Sequence, residues 1–541
     1  MRSDGEGRSI DLPYKDALSR TLVRFAGYEP LPLMKQNWVS QYLQHKAGRE
    51  IEPGFIAFLA SLETVARVTP EIAQSIVQEL IDQRRHIKLI ASENYSSLAV
   101  QCAMANLLTD KYAEGFPFKR FYAGCENVDA IEDHARRLAC KLFQCEHAYV
   151  QPHSGADANL IAFWAILSAK VEAPWLAERD VKNPMTLPHA DWESLRQKLG
   201  NQRLLGMSLE SGGHLTHGFR QNVSAKMFDA YSYSVSKQTG LLDYDEIERQ
   251  AREIKPLVLL AGFSAYPRKI NFARMRQMAD RVGAVFMVDM AHFAGLVAGG
   301  VFTGEFNPVP HAHVVTSTTH KTLRGPRGGL VLSTGEFAEQ LDRGCPLVQG
   351  GPLPHVMAAK AVCFTEALRP EFKTYAARIV ENAQALAAAF AKLGATVVSG
   401  GTDNHLVLVD VRPYGLTGRQ AESALRDCGV TLNRNTIPFD PNGPWYTSGL
   451  RLGTPAVTTL GMGRGEMDEI ASVVTSVLGK TTAGADEKGQ KSQAKYLVDE
   501  SIKGRALTRV ETLLSGYALY PEIDVEFIAR CLDATGTNSP R

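Results

Sequence analysis

The sequence predicts an α/β protein whose large domain has a mostly parallel central sheet flanked by helices, followed by a smaller α/β domain. Three observations lead there. Short apolar runs at 257–263 (L-V-L-L-A-G-F), 284–289 (A-V-F-M-V-D) and 328–334 (G-G-L-V-L-S-T) have the length and unbroken hydrophobicity of strands buried in parallel sheets. Between the first two lies a helix-like segment around Phe272 to Val282, which completes a β-α-β pattern. The chain of 541 residues also exceeds what one hydrophobic core normally holds, so two or more domains are expected.

In such a sheet, ligands gather at the C-terminal ends of the strands. Ser264 and Asp289 fall there, and the strand H-V-V-T-S at 313–317 leads directly towards Lys321. After residue 360 the pattern changes to a long helix. Ile379, Ala383, Leu386, Phe390 and Leu393 recur four and three apart, and Gly394 stops it. The strand L-V-L-V-D-V at 406–411 follows. The polar stretch from Gly479 to Gln493 reads as a linker before a terminal helix.

Composition sets bounds on function. Hydrophobic content of 45% and charged content of 22% describe an ordinary soluble protein, and a net charge of +1 gives no global pull towards nucleic acid or membrane. Any anion site must therefore be local. The eight cysteines form no C-x-x-C pair and no metal-ligand spacing, so no metal is expected, and scattered thiols in a large enzyme point to the cytoplasm. The opening M-R-S-D-G-E-G-R-S-I has no apolar signal core. The most apolar long window, Ala284 to Phe302, contains Asp289 and His292, which disfavours a membrane span.

The richest stretch is V-V-T-S-T-T-H-K-T-L-R-G-P-R-G-G at 314–329, which presents one lysine on a threonine-rich turn after an apolar run. An exposed lysine stays an ammonium ion, whereas carbonyl chemistry needs the free amine, favoured by desolvation or neighbouring charge. Lys321 has His320 beside it and Arg324 and Arg327 nearby, and V-D-M-A-H supplies Asp289 and His292 upstream. A lysine for an aldehyde and a carboxylate for a ring nitrogen suggest pyridoxal phosphate. Three further clusters stand between apolar segments: Q-P-H-S-G-A-D-A-N at 151–159, G-G-H-L-T-H-G at 212–218 and T-S-G-L-R-L-G-T-P-A at 447–456.

With I-A-S-E-N-Y at 90–95, K-Y-A-E-G, K-R-F-Y-A-G-C-E and T-T-H-K-T in the same order, the chain closely resembles the serine (glycine) hydroxymethyltransferase family of fold type I, aminotransferase-like pyridoxal phosphate enzymes. The resemblance implies a role for each matching residue. Lys321 attaches the cofactor and then gives way to the substrate amine, with His320 adjoining. Asp289 keeps the pyridine nitrogen protonated, His214 stacks on the ring, and His292 and Ser264 contact the phenolic oxygen. Ser154, Gly155 and Ala156 bind the phosphate at a helix start. Many family members have Ser where Ala156 stands, so one hydroxyl contact is expected to be missing. Gly351, in Q-G-G-P at 349–352, supplies a backbone donor from a partner subunit. Arg451 clamps the substrate carboxylate as a bidentate fork, helped by Ser92 and Tyr122, while Glu114 is the acid/base group with Tyr112 alongside. Leu209, Gly213, Leu215 and Asn435, with G-P-W at 443–445, match the pterin site.

The implied reaction is reversible transfer of the hydroxymethyl carbon of serine to tetrahydrofolate, giving glycine, in a cytoplasmic homodimer with shared active sites. Pairing of dimers into tetramers stays open. Two other readings are a folate-independent pyridoxal phosphate aldolase or racemase, and a non-enzymatic nucleic-acid-binding scaffold. The intact lysine and near-zero charge argue against the scaffold. Residues 1–65 form an N-terminal extension, 66–110 a helical arm, 111–360 the large domain and 361–541 the small one. An insertion near 168–203 resembles one in a chlamydial-type branch and is expected to be a surface excursion with helix.

Overall fold

The computed structural model describes residues 37–46 and 50–534. Much of the N-terminal extension, including the stretch on which a signal sequence was excluded, lies outside the described residues. Contacts divide the chain into two compact units, one up to Val77 together with the residues from Asp524, the other Gln78–Ile523. In the smaller unit, Tyr42 of the helix Trp38–His45 packs edge-on against Phe55 at 4.7 Å and Phe527 at 5.1 Å. Glu63 accepts the backbone N–H of Trp38 at 2.9 Å.

The larger unit is built on a seven-stranded sheet. Its strands are β1 (His147–Tyr149), β2 (Arg203–Met207), β3 (Asp229–Tyr233), β4 (Val258–Gly262), β5 (Val285–Asp289), β6 (Val314–Thr318) and β7 (Gly329–Ser333), in the spatial order β1-β7-β6-β5-β4-β2-β3. The five from β3 to β6 are mutually parallel. The expected helix between β4 and β5 is Phe272–Val282, capped by the Asn271 side chain and ended by Gly283 at φ +71°. Every residue of β4, β5 and β6 is buried, because helices cover both faces.

One strand departs from the predicted parallel set. β7 pairs antiparallel with both β6 and β1. The connection at 319–328 is too short for a crossover helix, so the chain can only return alongside β6 in the opposite sense. That return makes the lysine turn a tight connection.

The second sheet has four antiparallel strands, with Leu406–Asp410 and Gly449–Gly453 at its centre. The helix Pro370–Lys392 buries Ile379, Ala383, Leu386 and Phe390 as its spacing requires. The segment 479–493 is not a linker. Thr481–Ala485 and Lys491–Val498 form an antiparallel hairpin whose turn is closed by Asp486 Oδ1, which accepts the N–H groups of Lys488 and Gln490, and by Gly489 at φ +75°. Its outer strand alternates exposed and half-buried residues, so a polar composition conceals a period of two. Two helices follow, Glu500–Leu514 and Val525–Ala534, where one was expected.

The helix that starts at Gly155 runs to Ala177 through a wider π turn at Ser168–Glu172. Its length and composition would suit a membrane span, but Ile161, Phe163 and Ile166 pack in a core with Val258 and Leu260 of the sheet. The rest of the insertion is a short 3-10 turn and the helix His189–Gly200, which buries Leu195 alone.

Candidate active site

β5 ends at Asp289, and the register sets Gly262 on one side of it and Thr316 on the other. A Cβ on Gly262 would lie 2.1 Å from the Asp289 carbonyl oxygen, and its φ is +126°, so only glycine fits. The buried carboxylate is fully engaged. Its Oδ2 accepts from Asn159 Nδ2 at 2.9 Å and His217 Nε2 at 3.2 Å, and its Oδ1 accepts the Ala291 backbone N–H at 3.0 Å. Burial pushes the carboxyl pKa up, but the hydrogen bonds from His217 and Asn159 outweigh it and hold the group well below the usual range.

His217 was not foreseen from the sequence. Its Nδ1 accepts the His214 backbone N–H at 3.3 Å, which assigns the ring proton to Nε2 and directs it at Asp289. Asn159 is oriented in turn by Thr316, which donates to its Oδ1 at 2.5 Å, and by Thr216, which accepts from its Nδ2 at 2.7 Å. His214 Nδ1 accepts the Thr216 N–H at 3.3 Å, and burial brings the ring down to about 4, so it is neutral near pH 7.

Lys321 sits in the connection after β6. Its carbonyl accepts from Asn94 Nδ2 at 2.9 Å and from the Arg324 N–H at 3.0 Å, and the Thr322 hydroxyl donates to the His292 carbonyl at 2.9 Å. Burial lowers the Lys321 ammonium to about 8; Asp289 opposes this, while Arg451 and Arg327 add to it. His320 next door carries a buried Nδ1 with no hydrogen-bond partner among the described residues. His292 Nδ1 lies 3.2 Å from Nε2 of His405, a second unforeseen histidine, and burial keeps both rings neutral near pH 7.

Arg451 reaches the same space from the centre of the smaller sheet. Its Nη1 donates to the Ser264 carbonyl at 2.7 Å and its Nε to Asn433 Oδ1 at 3.1 Å. Burial lowers its pKa to about 10, and no carboxylate pairs with it among the described residues. Ser264 Oγ donates to the Gly213 carbonyl at 2.7 Å. A Cβ on Gly213 would meet Met207 O at 2.1 Å, so this glycine allows a close backbone approach.

Ser154 caps the helix Gly155–Leu167, its Oγ accepting the Asp157 N–H at 3.1 Å. Gly155 lies against β6, where a Cβ would fall 2.7 Å from Thr318 Cγ2, and Ala156 is exposed beside it. Beneath this turn lies Lys360, buried and also unforeseen. Burial pushes it down to about 7, yet its Nζ donates to the carbonyls of Val150 at 2.5 Å, Gly329 at 2.8 Å and Pro152 at 3.0 Å. Three acceptors take three N–H donors, the complement of the charged form.

Other expected residues lie apart from this centre. Tyr112 and Tyr122 pack edge-to-face at 4.9 Å and are both exposed. Gly351 presses on the Tyr112 ring, where a Cβ would come within 3.1 Å of Cζ. Glu114 belongs to this same segment, and none of these four hydrogen-bonds to Lys321, Asp289 or Arg451 among the described residues. Ser92 and His320 line a cavity of about 550 Å³ with Arg327 and Tyr520. Leu209 and Leu215 line another, of about 890 Å³, with His214, Thr436, Gly443 and Pro444. Asn435 turns onto the Thr436 carbonyl beside that cavity. Trp445 does not line it; its exposed ring lies near the guanidinium groups of Arg419 and Arg434.

A buried amine whose pKa burial lowers, an ionised carboxylate, a guanidinium with no carboxylate partner among the described residues and a helix start thus gather around the ends of β4 to β6. Comparison with known proteins agrees with this chemistry. The profile of the family described as Serine hydroxymethyltransferase matches residues 65–173 and 194–474, breaking off inside the predicted insertion. A serine hydroxymethyltransferase of Treponema pallidum is 61% identical over 495 residues, covering 92% of this chain and 86% of that protein. One from Salinispora tropica is 59% identical, covering 87% and 98%, and one from Chlamydia trachomatis serovar L2 is 53% identical, covering 87% and 95%. With the profile spanning most of the chain and identities of this size, the chain belongs to the serine hydroxymethyltransferase family.

Proposed function

We infer that the protein catalyses reversible transfer of the hydroxymethyl carbon of L-serine to tetrahydrofolate, giving glycine and 5,10-methylenetetrahydrofolate. The observation that carries this is the convergence at the strand ends of the buried Lys321 amine, the Asp289 carboxylate held by Asn159 and His217, and the Arg451 guanidinium, which has no carboxylate partner among the described residues. The donor set suits pyridoxal phosphate, which when bound supplies an electron sink for the substrate α-carbon. Lys321 would offer the attaching amine, Asp289 would hold the ring nitrogen protonated, His214 would pack on the ring, and Ser264 and His292 would meet the phenolic oxygen. The Ser154–Ala156 turn would hold the phosphate with the helix dipole behind it. Ala156 contributes only its backbone N–H, and the partner's Q-G-G-P turn adds Gly351.

Arg451 holds the serine carboxylate, which restores the charge balance its burial lacks, with Ser92 helping to orient the amino acid. Glu114 moves the proton of the serine hydroxyl, with Tyr112 and Tyr122 beside it and His320 adjoining Lys321. The 890 Å³ cavity lined by Leu209 and Leu215 supports a pterin site, to which Gly213 and Asn435 contribute. The exposed aromatics Tyr112, Phe118, Phe121 and Tyr122, crowded into one short segment, support a homodimer in which this segment completes the partner's site. Eight free thiols support a cytoplasmic location.

The test is a spectrum of the purified holoenzyme with glycine, with and without tetrahydrofolate. A long-wavelength band that builds up only with folate is expected. Serine cleavage equally fast without folate would sink this reading in favour of an aldolase.

A further inference from the structure

Arg120 and Gln151 have been given no role so far, yet they join two of the groups above. The Arg120 side chain is only 3% exposed. Its Nε donates to Asp129 Oδ1 at 2.8 Å and its Nη2 to Glu132 Oε2 at 2.5 Å, while Nη1 donates to the carbonyls of Ala113 and Gly115, both at 3.0 Å. Those two carbonyls flank Glu114. Gln151 Nε2 donates to the same Gly115 carbonyl and to Glu132 Oε1, each at 2.8 Å, and its Oε1 accepts the Tyr149 hydroxyl at 2.9 Å. Gly115 has φ +106°, and a Cβ there would lie 2.5 Å from Lys119 O, so the backbone next to Glu114 is fixed in a conformation only glycine adopts.

Burying a guanidinium with two carboxylates is expensive, and a network of this kind is tolerated only when its donors and acceptors are matched. Here the matched fork grips the main chain on both sides of one glutamate. We propose that Arg120 and Gln151 are positioning residues that fix Glu114 for proton transfer and tie it to the phosphate turn of the same chain, which begins three residues after Gln151. The proposal rests on the assignment of Glu114 as the acid/base group. If Glu114 serves the partner's site, these bonds join the phosphate turn of one site to the proton-transfer group of the other.

The experiment compares holoenzymes carrying Glu114→Gln, Gln151→Leu and both, measuring kcat, the serine KM and cofactor content. Glu114→Gln is expected to lower kcat by about 10²–10³-fold. Gln151→Leu should lower it about tenfold through misplacement of the glutamate, with serine KM and cofactor content unchanged. The double variant should be no slower than Glu114→Gln alone, because the second lesion acts only through the first. Losses that multiply in the double variant, or a Gln151→Leu defect traced to lost cofactor or raised KM, would overturn the proposal. Should Gln151→Leu fold poorly, Arg120→Lys serves the same cycle, since a point charge cannot span two carbonyls and two carboxylates. An unchanged kcat for Glu114→Gln alone overturns the underlying assignment, and this proposal with it.

Discussion

The centre around Lys321 and the segment around Tyr112 differ in what completes them. Around Lys321, three buried polar groups are answered within the chain: Asp289 has three donors, Asn159 three partners and Lys360 three carbonyls. Around Tyr112 the backbone is clamped as firmly, through Arg120, but four aromatic side chains face outward. The first region draws these contacts from its own fold. The second has the rigidity of a functional element without the cover of a core, as expected of a surface that is half of an interface.

The largest effect expected to probe the first region is Arg451→Lys. A planar fork becomes a point charge, so serine affinity should fall by about 1.5–3 kcal/mol while cofactor binding persists. Calorimetric titration of the holoenzyme measures both, and unaltered serine affinity would move the carboxylate site elsewhere.

A smaller effect tests the second region. Lys321→Ala and Glu114→Gln should each be nearly inactive as homodimers, whereas in a mixed dimer a shared-site geometry places both lesions in one site and leaves the other intact. About half of wild-type activity per heterodimer should then return, by the two-fold symmetry of the pair. A verified heterodimer with no recovery would falsify the shared-site reading.

The smallest effect concerns pH. Lys321 has a folded pKa near 8, below its ordinary 10.5, so between these values the unfolded chain binds more protons and stability rises with pH. Below about pH 8 the penalty is fully present. The apo-protein should therefore gain Tm from pH 8 towards 10 relative to apo Lys321→Ala, whose site carries no amine. Parallel Tm curves for the two proteins would mean that the amine is not desolvated.

Much of the first region was legible in the sequence because its residues sit where strands end. Asp289 closes an apolar run, and Ser264 and Lys321 each follow one. Less visible were the partners that set protonation. His217 stands three residues from His214 in a motif already singled out, but which of the two rings meets the carboxylate depends on backbone geometry that no spacing encodes. Lys360 gave no signal, and Arg120 stood in a quoted motif without a role, since a lone cation in a helix or hairpin reads as a solvated charge. The direction of β7 and the hairpin at 481–498 were missed for opposite reasons. An apolar strand does not reveal its sense, and a polar one does not look like a strand.

The long helix from Gly155 to Ala177 also separates what the protein must conserve from what it can carry. Its first turn is the proposed phosphate cradle, whereas its far end, past the π turn, opens into chain that the family profile skips. At 1.5 Å per residue the two ends are about 30 Å apart. A fluorophore or affinity handle grafted at the exposed residues near Pro184–Thr186 would therefore ride on the working enzyme well clear of its chemistry, so the excursion provides a ready mounting point for following a single chain through assembly and turnover.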